Sequence, residues 1–283
     1  MQSETEQVVL GDQRYGVQRF WGRWPEGMAP AVLSTLAVDS SGAVYVSQRG
    51  GAPVIVFEPN GDYREQWGTS EVTDPHGISI DFDDRVLLVD RDAHEVQIRK
   101  SDGAVLGRLG ARHHPQYQAP FNHPTSAFAT RDGEVYVADG YGNAAVHRFA
   151  RDGRHLSTWG EPGSGPGQFA TPHAVWVDQR DRVLVADREN NRVCVFDRAG
   201  KYITSWLGFY HPMDIGENDK GIYVTDQVPR ITLVDFEGHI IGRCRPVWNV
   251  PHGIACAPNG MIFFVEMKPS SITVMKPLIS EER

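Results

Sequence analysis

An all-β, six-bladed β-propeller, its ring closed by an N-terminal strand that completes the last blade, is the fold this 283-residue sequence predicts. Three observations carry it. Short apolar strands alternate with Gly, Asp and Asn turns along nearly the whole chain, and no stretch keeps a helical period. One opening pattern returns six times, at Leu33, Pro75, Pro124, Pro172, Pro212 and Pro251, with starts roughly 40 to 50 residues apart, the length of a four-stranded blade. Units also tend to close on Trp-Gly or a variant: Trp21-Gly22, Trp67-Gly68, Leu109-Gly110, Trp159-Gly160 and Trp206-Leu207.

In chain order, residues 1–14 read as a polar tail and residues 15–283 as one propeller domain. Each unit opens with a first strand such as Pro75 to Asp81, turns through residues such as Asp83-Asp84, and runs a second strand that ends in VSQR, LVDR, VADG, VADR, VTDQ or FVEM. A third strand, a turn such as Asp102-Gly103 and a fourth strand follow. The last unit stops after a third strand near Ile272–Met275, while a strand around Val17–Trp21 precedes the first unit. Joining the two closes the ring. The tryptophans are expected in the wedges between blades.

Composition narrows the partners. Formal net charge is −8, which disfavours nucleic-acid phosphates and anionic membranes and leaves a small molecule or peptide as the expected substrate. Cys194, Cys244 and Cys256 are odd in number, without CxxC spacing, and fit free thiols in a reducing compartment. No basic and apolar leader and no run near the roughly 18 apolar residues of a membrane helix is seen, so a cytoplasmic location is expected. Oligomeric state is not legible; a monomer satisfies the pattern.

The residue after the opening proline, or its equivalent, reads Ser34, His76, Thr125, His173, Met213 and His252. Because the first strand is innermost and the second antiparallel to it, this slot and the residues fourteen to sixteen positions later share one end of the channel. Histidine on alternate blades brings His76, His173 and His252 to the axis about 120° apart, the donor set of a catalytic divalent metal with an open position. Zinc is the first expectation, iron the alternative. The acids fourteen residues on (Asp90, Asp139, Asp187, Asp226, Glu266, with Gln48 in blade one) read as repeat hardware binding backbone N–H groups, some also as partners of the imidazoles. One position further stand Arg49, Arg91, Gly140, Arg188, Gln227 and Met267. Arg49 and Arg188 suit either a substrate carboxylate or an inter-blade salt bridge, and Tyr141 either proton transfer or a rim hydrogen bond. His123 and His211 precede the repeat's proline and read as loop residues.

Residues 135–196 contain DGYxN at 139–143, Trp159-Gly160, GxFxxPH at 167–173 and VADREN at 185–190, and this stretch resembles the catalytic core of the peptidyl-α-hydroxyglycine α-amidating lyases, six-bladed propellers of NHL type. The likeness extends more weakly over all six blades. It implies a carbon–nitrogen lyase that cleaves a carbinolamide, R-CO-NH-CH(OH)-COO⁻, to an amide and glyoxylate. It further implies zinc on His76, His173 and His252, an active-site tyrosine at Tyr141, arginines at Arg49 and Arg188, and a channel calcium on the backbone carbonyls of Leu36 and Ile78. The family's last histidine is followed by an aspartate that binds the calcium, where this chain has Gly253. Cysteines of the animal domains are also replaced, by Gly142 and by Leu184, expected opposite Cys194. Competing readings are a metal-dependent hydrolase such as a lactonase, and a non-catalytic interaction scaffold.

Overall fold

The computed structural model describes residues 6–68 and 71–278. Six antiparallel sheets make the six blades, five of four strands and one of five. The innermost strands are Val32–Val38, Pro75–Ile80, Ser126–Ala129, Pro172–Val177, Pro212–Asn218 and Pro251–Cys256. Ring closure follows the expected route: Gln13–Gln18 pairs antiparallel with Ser270–Pro277, Tyr15 opposite Pro277 and Gln18 opposite Val274.

The expected tail is shorter than its polarity suggested. Residues 1–5 lie outside the described residues, and Gln7–Leu10 forms a further strand, turned at Gly11 onto Gln13–Gln18. Its Val8-Val9-Leu10 run supplies the reason, since Leu10 is 1 % exposed and packs with Tyr15, Val17 and Leu233. Blade six therefore has five strands.

The core is six wedges, each shared by two neighbouring blades. Blades two and three, for example, enclose Leu87, Val89, Val96, Leu109 and Phe121 with Ala127, Val135, Val137 and Phe149. Blades four and five enclose Leu184, Val193 and Trp206 with Ile215, Ile222 and Val224. Second strands are apolar on both faces because a blade has a neighbour on each side; Val86–Asp90 and Val135–Asp139 are buried throughout.

Two sequence marks turn out to be halves of one contact. The closing tryptophan of a blade lies over the glycine in the last turn of the next: Trp67 over Gly103, Trp159 over Gly200, Trp206 over Gly238, and Trp21 over Gly61 across the ring closure. At Gly200 φ is +88° and a Cβ would sit 2.6 Å from the Trp159 ring. Both strain and overlap oppose a side chain there. Gly200→Ala is expected to lower stability by about 2–4 kcal/mol, read as a fall in denaturant midpoint with unchanged m-value. The one outlying tryptophan is Trp248, exposed in the loop before blade six.

No helix of the described residues is long and apolar enough to cross a membrane. The three cysteines are free thiols. The residue opposite Cys194 across its hairpin is Val185, one position from the expected Leu184, because the strands register Arg182 with Asp197.

Candidate active site

Each site histidine sits where its first strand breaks register. Pairing runs Pro75 with Asp90 and then Gly77 with Val89, Pro172 with Asp187 and then Ala174 with Ala186, Pro251 with Glu266 and then Gly253 with Val265. The histidine is the extra residue of a β-bulge, released from the ladder and aimed away from the pleat. The three imidazoles meet at the axis with ring centroids 5.0, 5.0 and 5.2 Å apart, nearly an equilateral triangle, and at most 3 % exposed.

What orients them is the next blade's backbone. Nδ1–H of His76 donates to Thr125 O at 2.7 Å, that of His173 to Met213 O at 2.6 Å and that of His252 to Ser34 O at 2.8 Å. A carbonyl only accepts, so Nδ1 carries the proton and Nε2 keeps its lone pair. The acceptors are the slot residues of blades three, five and one, so the non-histidine slots have a part as well. Their carbonyls, and not the acids fourteen residues on, are the partners of the imidazoles.

The acids do the other task expected of them. Asp90 accepts from Thr73 and Asp74 N–H, Asp139 from Asn122, Asp187 from Ala170, Asp226 from Tyr210, Glu266 from Trp248 and Asn249, and the Gln48 amide oxygen from Ala31. Each pins the loop that enters its blade. Asp139 also holds His147, a wholly buried histidine with a structural role.

Burial first, then the neighbouring charges, holds His76 and His173 well below 6.5 and His252 at about 4. All three are neutral near pH 7, the state in which imidazole binds a metal. Their ligand atoms lie within 4.8 Å of one another, and among the described residues this is the group of His, Cys, Asp or Glu close enough to hold an ion. Three inward lone pairs in a buried pocket could hold a cation.

Tyr141 stands at the centre of the same end. Its hydroxyl is 3.0 Å from His76 Nε2 and 3.1 Å from His173 Nε2, and one phenol proton cannot serve both. Gly140 delivers it there: a Cβ at 140 would fall 2.0 Å from Pro172 O, so the slot that holds arginine in blade two must be glycine in blade three. Arg188 donates from Nη1 to the Tyr141 hydroxyl at 3.4 Å and rests on Glu189 through Nε at 2.8 Å. Arg49 Nε lies 3.0 Å from Asp74 across the blade boundary, the salt bridge that was its alternative role, and sits near enough to depress His76 and His252. Arg91 contacts Tyr141 too, a neighbour that spacing showed and function did not single out. His123 bonds Asn122, and His211 reaches the rim only through Glu189, at 3.3 Å.

Below the histidines, Leu36 and Ile78 line the channel together with Ser126, Val175, Asp214 and Ile254. Gly253 is sterically set, since a Cβ would meet Thr35 Cα at 2.8 Å. The channel's acid comes from blade five instead. Asp214 spends both oxygens on Ile215 and Ile254 N–H, at 2.9 and 3.0 Å. Burial pushes Asp214 up to about 7. The folded chain thus keeps a proton that the unfolded chain releases near pH 4, and this group's contribution to stability falls as pH rises through that window. Asp214→Asn is expected to flatten the loss, measured as denaturation midpoints between about pH 4 and 8.

The NHL repeat profile matches residues 169–196. The chain belongs among NHL-repeat propellers and is homologous to the peptidyl-α-hydroxyglycine α-amidating lyases. It is 33 % identical over 239 residues to peptidyl-α-hydroxyglycine α-amidating lyase 1 of Drosophila melanogaster, covering 79 % of this chain and 43 % of that protein. It is likewise 33 % identical over 218 residues to NHL repeat-containing protein 3 of Homo sapiens, covering 71 % of this chain and 61 % of that one. The chain thus spans less than two thirds of the length of these relatives. Among solved structures, a streptogramin B lyase superposes with a TM-score of 0.69 at 11 % identity, covering 93 % of this chain and 98 % of that one. A putative gluconolactonase gives 0.70 at 14 %, covering 93 % and 92 %. Likenesses this remote establish the fold alone.

Proposed function

We propose that the protein is a zinc-dependent carbon–nitrogen lyase that cleaves an α-hydroxyglycine-type carbinolamide to an amide and glyoxylate. The observation that carries this is the placement of Tyr141 Oη within 3.1 Å of two inward imidazole nitrogens, with Arg49 and Arg188 at the same end. His76, His173 and His252 would hold the metal, iron being the alternative ion. When bound, the cation supplies Lewis acidity that makes a substrate hydroxyl easier to deprotonate. Arg188, with Arg49, holds the substrate carboxylate and so fixes which face of the carbinol carbon meets the histidines. Tyr141 relays the proton: its O–H donates to the departing amide nitrogen as the C–N bond breaks, and its oxygen takes the proton of the substrate hydroxyl as the C–O bond becomes a carbonyl, so the phenol is restored. Proton and electrons balance without water. The substrate is thus a small molecule or peptide bearing a carboxylate, and a reducing, cytoplasmic setting suits the free thiols.

Lactone hydrolysis is the second reading, and the site favours it less. Its metal donors are three neutral imidazoles with a phenol beside them, suited to moving a proton within the substrate. The purified protein, assayed for bound metal and for glyoxylate release from N-acyl-α-hydroxyglycines, is expected to hold about one zinc per chain and to release glyoxylate and amide in equal amounts. Lactone opening without glyoxylate release would favour the hydrolase; a metal-free chain with neither activity would leave a scaffold.

A further inference from the structure

Arg91 has no part in the reaction as set out, yet it lies in the same slot as Arg49 and Arg188 and at the same mouth. Its guanidinium carbon is 5.5 Å from the Tyr141 ring centroid, the same distance as that of Arg188, so two guanidiniums from blades two and four pack against a tyrosine from blade three. Arg91 is also paired with Asp74, the residue two before His76, and through Nε with Asp92 at 2.8 Å. Asp74 is shared: Arg49 Nε approaches its other oxygen at 3.0 Å. That second pair is an ion pair without hydrogen-bond alignment, and both the Arg49 Nε–H and Asp74 Oδ1 are buried with no hydrogen-bond partner. A buried guanidinium N–H left open beside a metal-type site is a donor in want of an acceptor. The same slot carries Gly140, Gln227 and Met267 in the other blades, so guanidinium charge in this ring of positions is confined to blades one, two and four.

We propose that Arg91 is a third anion-binding guanidinium of this site and that Asp74 is the positioning residue which sets Arg49 and Arg91 around an incoming carboxylate. This deepens the lyase reading and rests on it for the identity of the anion. A substrate carboxylate has four lone-pair directions, and an arc of guanidiniums can fill more of them than one bidentate pair. Asp74 is the local counter-charge that lets two cations stand together in the empty site. Arg91 further holds the Tyr141 ring by cation–π contact.

The test is calorimetric binding of glyoxylate to the metal-loaded protein, with the uncharged amide glycolamide as comparator. Arg91→Leu is expected to weaken glyoxylate binding roughly tenfold, the loss of a charge-assisted contact, and to leave glycolamide binding, zinc content and melting temperature unchanged. Arg91→Lys should recover part of the loss, since a point charge replaces a planar fork. Asp74→Asn should weaken glyoxylate through both arginines; should that variant fail to fold, Arg91→Leu, in which Asp74 keeps Arg49, stands by itself. Unchanged glyoxylate binding in Arg91→Leu, an equal loss for glycolamide, or a wild-type protein that binds no carboxylate would each overturn the proposal. The lyase reading is judged separately by glyoxylate release, so it can fail while this binding pattern holds, or stand while Arg91 proves idle.

Discussion

His173→Ala is expected to remove bound metal altogether and to reduce glyoxylate release by at least about a thousandfold. In the metal-dependent reading the imidazole would be one of three donors, and two are too few to hold a divalent ion against water and buffer at ordinary concentrations. Met213 O loses its donor and Tyr141 loses one of its two imidazole neighbours in the same change. Folding should survive, because His173 is the unpaired residue of a bulge at the channel's end and takes no part in the six wedges between blades. Circular dichroism and a cooperative thermal transition close to that of metal-stripped wild type separate loss of metal from loss of fold. Full turnover in a metal-free variant would end the metal-dependent reading. Stoichiometric metal in the variant would mean that the histidines are not its ligands.

That the residue can be chosen at all reflects how much the repeat discloses. Six copies of one slot, with histidine in alternate copies, fix three directions in space once the blade is known to turn its first strand inward. Strand pairing, the ring closure and the acids that pin each entry loop follow from the same period. Contacts between blades were less legible, since they depend on registers that no single repeat displays. The carbonyls of Ser34, Thr125 and Met213 that orient the imidazoles are backbone atoms of slots whose side chains differ. Trp159 and Gly200 are about one blade apart in sequence and meet only after stacking. The Val8-Val9-Leu10 run is too short to stand out in a polar N-terminus, and its burial draws on blade five as well as its own blade. Asp214 moved the channel's acid to a neighbouring blade, which an expectation tied to the position after His252 could not foresee.

Tyr141→Phe tests the chemistry with the metal left in place. The variant is expected to keep its zinc and its KM within about threefold while kcat falls by roughly 10² to 10⁴, the usual worth of a positioned proton-transfer group. Phenylalanine removes one oxygen, and the ring keeps its place because Arg91 and Arg188 still flank it and Gly140 still fixes the turn. A fall in kcat with steady KM is the pattern of an interaction made in the transition state alone. If KM rose and kcat held, the hydroxyl would be a binding group, and Arg188, 3.4 Å from it, would be the better candidate for bringing the substrate's oxygen to the histidines. If zinc were lost instead, the phenol oxygen, 3.0 to 3.1 Å from two imidazole nitrogens, would be a fourth group that holds the ion. The three outcomes are exclusive, and measuring metal content beside the two kinetic constants separates them.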